Sequence, residues 1–431
     1  MNGIQDHFAE VARSHRRCVW LDGGGGRQWS GRRSLIGWLE PSDVSITYSA
    51  PRREVTRHVD GGASVVGDDI WAVLEREVAT GGRWFGYLGY ACRADLPATP
   101  SDAVPDALPD AVWMRPSQLR LVEHVGLDTP PPSGSGYSTG ERAPVPAAYG
   151  SAFGEVQEAL HAGDTYEANL TYRLEVDAPR DPVETYLRLR RSNPAPYAGY
   201  LQHDVPGAGA WLLSSSPERY ALVDADGWIE TRPIKGTTPR ADDPAEDAAS
   251  ARRLAEDPKF RSENLMIVDL IRNDLSMVCD SGTVTVPDLM QVESYASVHQ
   301  LVSTVRGRLR EGVGTIGALR ALFPAGSMTG APKLRTMELI DRVEAGLGGP
   351  RGAYAGAFGW VSADGRADLG VVIRTLLSPD RRRWTLGTGG GITVRSDVEE
   401  EYAESRWKAE RLLAALDAGS DPTGAAGGVA G

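Results

Sequence analysis

The chain has 431 residues, 41% of them hydrophobic and 24% charged, with a formal net charge of −12. That length supports one large or two ordinary domains with a substantial core, and the acidic balance argues against nucleic acid and anionic membranes as partners. Cys18, Cys92 and Cys279 are scattered and make neither a disulfide framework nor a zinc pattern. No apolar run approaches the ~18–20 residues of a membrane span, and the opening residues do not read as a signal peptide. The expectation is a soluble, cytoplasmic protein.

In chain order, residues 1–126 alternate short strand-like runs (Cys18–Leu21, Val44–Tyr48, Trp84–Tyr90, Gln118–Val125) with a helical stretch near Asp69–Val78. Residues 127–146 are rich in Pro, Gly and Ser and predict an exposed loop. A catalytic region is expected over 147–418, opening with apolar helical periodicity over 147–162. The small, polar stretch 419–431 is expected to be disordered. There is no convincing internal repeat. Strands and helices mix without regular βαβ alternation, which predicts an α+β fold.

Ser216-Pro217-Glu218-Arg219 is followed by a run with turn residues at Asp224–Gly227, which predicts a hairpin. Beyond it lies Arg232-Pro-Ile-Lys235-Gly-Thr-Thr-Pro239-Arg. The two prolines exclude a helix there, and Gly236 permits an unusual backbone angle. A hairpin of this length brings Glu218 and Lys235 to one end of a sheet. Such a pair is a surface ion pair or, in outline, an acid beside a nucleophilic or proton-shuttling amine.

Glu263 opens an apolar helical run, and its simplest reading is an acid at a helix start. His299 alternates with apolar residues on a predicted strand, where a lone histidine is ordinarily a satisfied core residue. Gly387-Thr-Gly-Gly-Gly391 lacks the spacing of a dinucleotide fingerprint. Its Gly389, Gly390 and Gly391 can let backbone N–H groups converge on an anion, such as a substrate carboxylate. Ser396 and Glu399 fit a capping box, and acids suit a first helical turn. Glu401 and Glu404 share a helix face. Mg²⁺ wants one or two carboxylates with water and a substrate oxygen, a need that Glu263 with Glu404, and Glu401 directly or through water, would meet.

These stretches, with Val298–Gly307, Phe323–Ile340, Gly352–Trp360 and Val372–Leu376, form an ordered series along most of the chain. The series resembles the chorismate-utilising enzymes, in particular the component I chains of anthranilate and aminodeoxychorismate synthases. The resemblance implies large antiparallel sheets packed face to face, helices outside and an active site in the cleft, with residues 1–126 supplying part of the assembly. It implies Mg²⁺ held by Glu263, Glu404 and Glu401, and gripping the ring carboxylate of chorismate. It implies that Tyr354 and Arg374 hold the enolpyruvyl carboxylate, that His299 bonds the departing C4 hydroxyl, and that Thr329 lines the pocket.

Anthranilate synthases typically carry Ala where this chain has Lys235, and aminodeoxychorismate synthases carry Lys. The resemblance therefore implies amination of chorismate at C4, with Lys235 as nucleophile at C2 and Glu218 as acid. Burial and nearby positive charge are expected to keep Lys235 deprotonated once substrate fills the cleft. Ammonia is expected from a separate glutamine amidotransferase subunit, because none of the three cysteines has a nucleophile-elbow context. Two alternatives stay open: amination at C2, and a catalytically silent regulatory homologue.

Two positions depart from the family pattern. Glu167 stands where Gln is usual and where water-using relatives carry a basic Lys. Leu21-Asp22-Gly23 replaces a Leu-Glu-Ser feedback motif, so tryptophan inhibition is not expected.

Overall fold

The computed structural model describes residues 2–23, 33–101, 107–124, 144–295 and 298–417. Residues 127–143 of the expected loop and all of the expected tail, 419–431, lie outside the described residues.

Alternation along the strands explains the layers. In Arg83–Leu88 and Ala111–Met114, Phe85, Tyr87, Val112 and Met114 face one way. They meet Val19, Leu201, Leu212 and Leu377 of a second sheet in a single core. Trp84, Leu88 and Trp113 face the other way, against Ile70, Trp71 and Leu74 of the helix Ile70–Ala79 and Ile267 and Ile271 of the helix Pro258–Ser276. A period of two buries both faces when each has a partner layer. The far face of the second sheet carries Trp20, Tyr200, Leu213 and Trp384. Phe8, Tyr186, Leu189, Leu412 and Leu416 cover them, from the helices Asn2–Ser14, Pro182–Ser192 and Val398–Asp417.

Among the described residues the two sheets have nine and twelve strands, and their registered neighbours run antiparallel. The expected α+β architecture of face-to-face antiparallel sheets with helices outside is what forms. The first part of the chain is woven into both sheets. Trp20 pairs with Tyr200 in the nine-stranded sheet, and Gly86 with Gly359 in the twelve-stranded one. No helix among the described residues is long and apolar enough to cross a membrane. Cys18, Cys92 and Cys279 are buried free thiols.

Candidate active site

The expected hairpin comprises Arg219–Val223 and Trp228–Arg232. The Asp224 N–H closes its turn on the Trp228 carbonyl at 3.0 Å, and Gly227 takes φ +77°. The strand Ile234–Pro239 follows and pairs with Val298–Arg308, with a register shift between Ile234 and Thr237. Gly236 lies at that shift with φ +89°, and a Cβ there would come within 2.8 Å of the Phe260 ring. Glu218 and Lys235 line one pocket between the sheets.

Lys235 is 9% exposed, and its ammonium donates to Oε1 of Glu167, itself 1% exposed. Glu167 starts the strand Glu167–Asp177 of the nine-stranded sheet, opposite Ala331. Lys235 belongs to the twelve-stranded sheet, so this ion pair ties one sheet to the other across the cleft. Burial pulls the Lys235 amine down, but Glu167, Glu263 and Glu218 outweigh it and hold it above the ordinary lysine value. The charges that bear most on this amine are carboxylates, where nearby positive charge was expected. Burial pushes the Glu218 carboxyl up to about 7, against the opposing pull of Lys235 and Arg374. Burial thus favours the protonated form that an acid at this position needs.

Glu263 lies in the second turn of the helix Pro258–Ser276, not at its opening. The cap is Asp257, whose carboxylate accepts from the Lys259 and Phe260 N–H groups at 2.8 and 3.2 Å. Glu263 Oε1 is buried with no hydrogen-bond partner among the described residues, and burial pushes this carboxyl up to about 7. Glu401 and Glu404 line the same pocket from the helix Val398–Asp417. The predicted Ser396–Glu399 capping box does not form. Asp397 accepts the Glu400 N–H at 3.1 Å, while the Ser396 hydroxyl donates to Glu401 Oε1 at 2.7 Å. Lys259 donates to Glu401 at 2.9 Å and Lys408 to Glu404 at 2.8 Å. Among the described residues no three His, Cys, Asp or Glu side chains gather as a preformed metal cluster.

Tyr354, Arg374 and the glycines 389–391 also line the pocket. The glycines sit in the paired strand Arg383–Ile392, with Gly389 opposite Thr171 and Gly391 opposite Asn169. Their structural contribution is room. A Cβ on Gly387 would strike the Tyr354 ring, and one on Gly391 would collide with Glu167 and lie 3.0 Å from Lys235 Nζ. Arg374 adopts φ +49°, a left-handed angle that a non-glycine residue holds only under constraint.

Two expected site residues are not among those lining the pocket. His299 is buried, with Nδ1 bonded to Ser294 Oγ at 2.8 Å and Nε2 to Asp247 at 3.0 Å. The next residue on that strand, Gln300, lines the pocket in its place. Thr329 is buried behind the wall and donates to the Gly326 carbonyl at 3.1 Å, while its neighbours Ser327 and Met328 face inward. Sequence reasoning missed Lys259 and Lys408. Spacing signals Lys408, one helical turn after Glu404, whereas Lys259 reaches Glu401 from 142 positions away.

The family described as chorismate binding enzyme matches residues 17–414. An aminodeoxychorismate synthase of Streptomyces pristinaespiralis is 53% identical over 262 residues, which are 61% of this chain and 35% of that protein. One of Streptomyces griseus is 38% identical over 461 aligned positions, covering 95% of this chain and 62% of the relative. The chain therefore spans under two thirds of either relative's length. Among solved structures, anthranilate synthase component I from Streptococcus pneumoniae superposes with a TM-score of 0.71 at 24% identity, covering 88% of this chain and 92% of that one. With both sheets, the cleft and the match over residues 17–414 in agreement, the chain belongs to the chorismate binding enzyme family.

Proposed function

We propose that this chain is the synthase component of an aminodeoxychorismate synthase, replacing the C4 hydroxyl of chorismate by an amino group. The observation that carries this is the buried amine of Lys235 in the same pocket as Glu218. A fold shared with an anthranilate synthase does not choose between nitrogen at C2 and at C4, whereas a nucleophile in the cleft does. Lys235 attacks C2, the ring double bonds shift, and the C4 hydroxyl leaves as water with the Glu218 proton. Ammonia then enters at C4 and expels the lysine.

The planar fork of Arg374 and the Tyr354 hydroxyl suit the enolpyruvyl carboxylate. Glu263, with its orphaned buried oxygen, and the flanking Glu401 and Glu404 fit a hard divalent ion such as Mg²⁺. When bound, that ion supplies a grip on the ring carboxylate and offsets its charge. Lys259 and Lys408 meanwhile hold two of the three glutamates in place. Ammonia is taken from a glutamine amidotransferase partner.

Incubation with chorismate, Mg²⁺ and ammonium salt should consume chorismate and give an amino product. Unchanged chorismate would favour a silent regulatory homologue.

Tryptophan at sub-millimolar concentration should not inhibit. Asp22, in the stretch that replaces the feedback motif, is buried and bonded to Arg190, and the Ser34 hydroxyl donates to it at 3.2 Å. A tryptophan ammonium seeking an acceptor there would have to displace this arginine. A clear inhibition curve with rising tryptophan would refute the prediction and reopen the anthranilate reading.

A further inference from the structure

One buried carboxylate is left over from the chemistry proposed above. Glu167 holds the Lys235 ammonium on Oε1, while Oε2 is buried with no hydrogen-bond partner among the described residues. The pair is built in from several sides. Strand pairing to Ala331 fixes the Glu167 backbone, whose carbonyl also accepts the Thr165 hydroxyl at 3.0 Å. Gly391 leaves the space that the carboxylate and amine fill. Glu218, Glu263, Glu401, Glu404, Lys259, Arg374 and Lys408 are the other charged groups lining this pocket. Among the described residues the amine's hydrogen bond is to Glu167.

We propose that Glu167 takes the proton that Lys235 must lose before attacking C2, and returns it when the lysine is released. This rests on the reading of Lys235 as the nucleophile. The ion pair becomes a neutral amine and a carboxylic acid. The amine nitrogen bonds to C2, the C4–O bond breaks, and the hydroxyl leaves as water with the Glu218 proton. The adduct nitrogen is then a secondary ammonium. Attack of ammonia at C4 breaks the C2–N bond and frees a neutral lysine amine, which recovers its proton from Glu167. The product ammonium gives up a proton that restores Glu218 through solvent.

Because the pair exchanges a proton internally, its readiness does not depend on loss of a proton to bulk water. In Glu167→Gln it does, since an amide can bond the amine but cannot take its proton. The test is single-turnover formation of the Lys235–substrate adduct with chorismate and Mg²⁺ and no ammonium. Intact-protein mass spectrometry would read it between about pH 6 and about pH 8. Glu167→Gln should form the adduct about 10²-fold more slowly than the parent at about pH 7. The ratio of variant to parent rate should climb by about tenfold per pH unit, because Glu218 titrates alike in both. Glu167→Asp, which keeps a carboxylate, should hold the parent's pH dependence even if slower. Equal rates with equal pH dependence in parent and Glu167→Gln would overturn the inference alone. No adduct in the parent would overturn it together with the reading beneath it.

Discussion

Replacing Lys235 by alanine is expected to move the nitrogen on the ring, not simply to stop turnover. A free lysine is neutral in only about one molecule in 2,500 at pH 7, and Glu167 holds this one still more firmly protonated. On the proposed mechanism the parent crosses that barrier by passing the proton to Glu167, and the covalent attack at C2 then reserves that position and leaves C4 for ammonia. Without the lysine side chain, ammonia meets C2 directly while Glu218 still assists loss of the hydroxyl. The variant should form an ortho-amino product at a rate roughly 10²-fold below the parent. Wild-type-like 4-amino product at an undiminished rate would rule out covalent catalysis by Lys235. The substitution also strands the Glu167 charge, and breaking one half of a buried pair is typically destabilising by about 3–5 kcal/mol. Adding Glu167→Gln to Lys235→Ala should restore much of that loss, as read by the denaturant midpoint.

The second large effect concerns the glutamates of the pocket. Glu263→Ala or Glu404→Ala alone should lower kcat/KM by about 10³-fold or more, since a lost metal grip removes several kcal/mol of charge stabilisation. The double variant should be little worse than either single one, because groups that act on one ion are not additive. Steady-state rates across a Mg²⁺ titration read both. Near-normal turnover of Glu404→Ala at low Mg²⁺ would remove that residue from the site.

Much of the site was legible because its parts are local. The hairpin announces itself by the turn residues between Asp224 and Gly227, and it delivers Glu218 and Lys235 to one pocket. The shared face of Glu401 and Glu404 follows from helical spacing alone. What escaped the sequence depends on faces and distance. His299 and Gln300 are neighbours on one strand and point to opposite sides, and alternation alone does not say which side is the pocket. Glu167 lies 68 positions from Lys235, and only the meeting of the two sheets brings them together.

Among the elements of the fold, the helix Asn2–Ser14 was missed because it buries little beyond Phe8, Val11 and Ala12. The hairpin Glu54–Val59 and Gly62–Gly67 was missed too. Its Asp60-Gly61 turn, at φ +50° and +74°, is a standard hairpin signal. Its second strand, however, is mostly exposed and shows no apolar alternation.

The central claim is that nitrogen enters at C4 through a lysine-bound intermediate. The measurement that tests it most directly is the ring position of nitrogen in the product of the unmodified chain, by NMR after incubation with chorismate, Mg²⁺ and ¹⁵N-ammonium. Nitrogen is expected on C4, with the enolpyruvyl group retained. Nitrogen on C2 would contradict it.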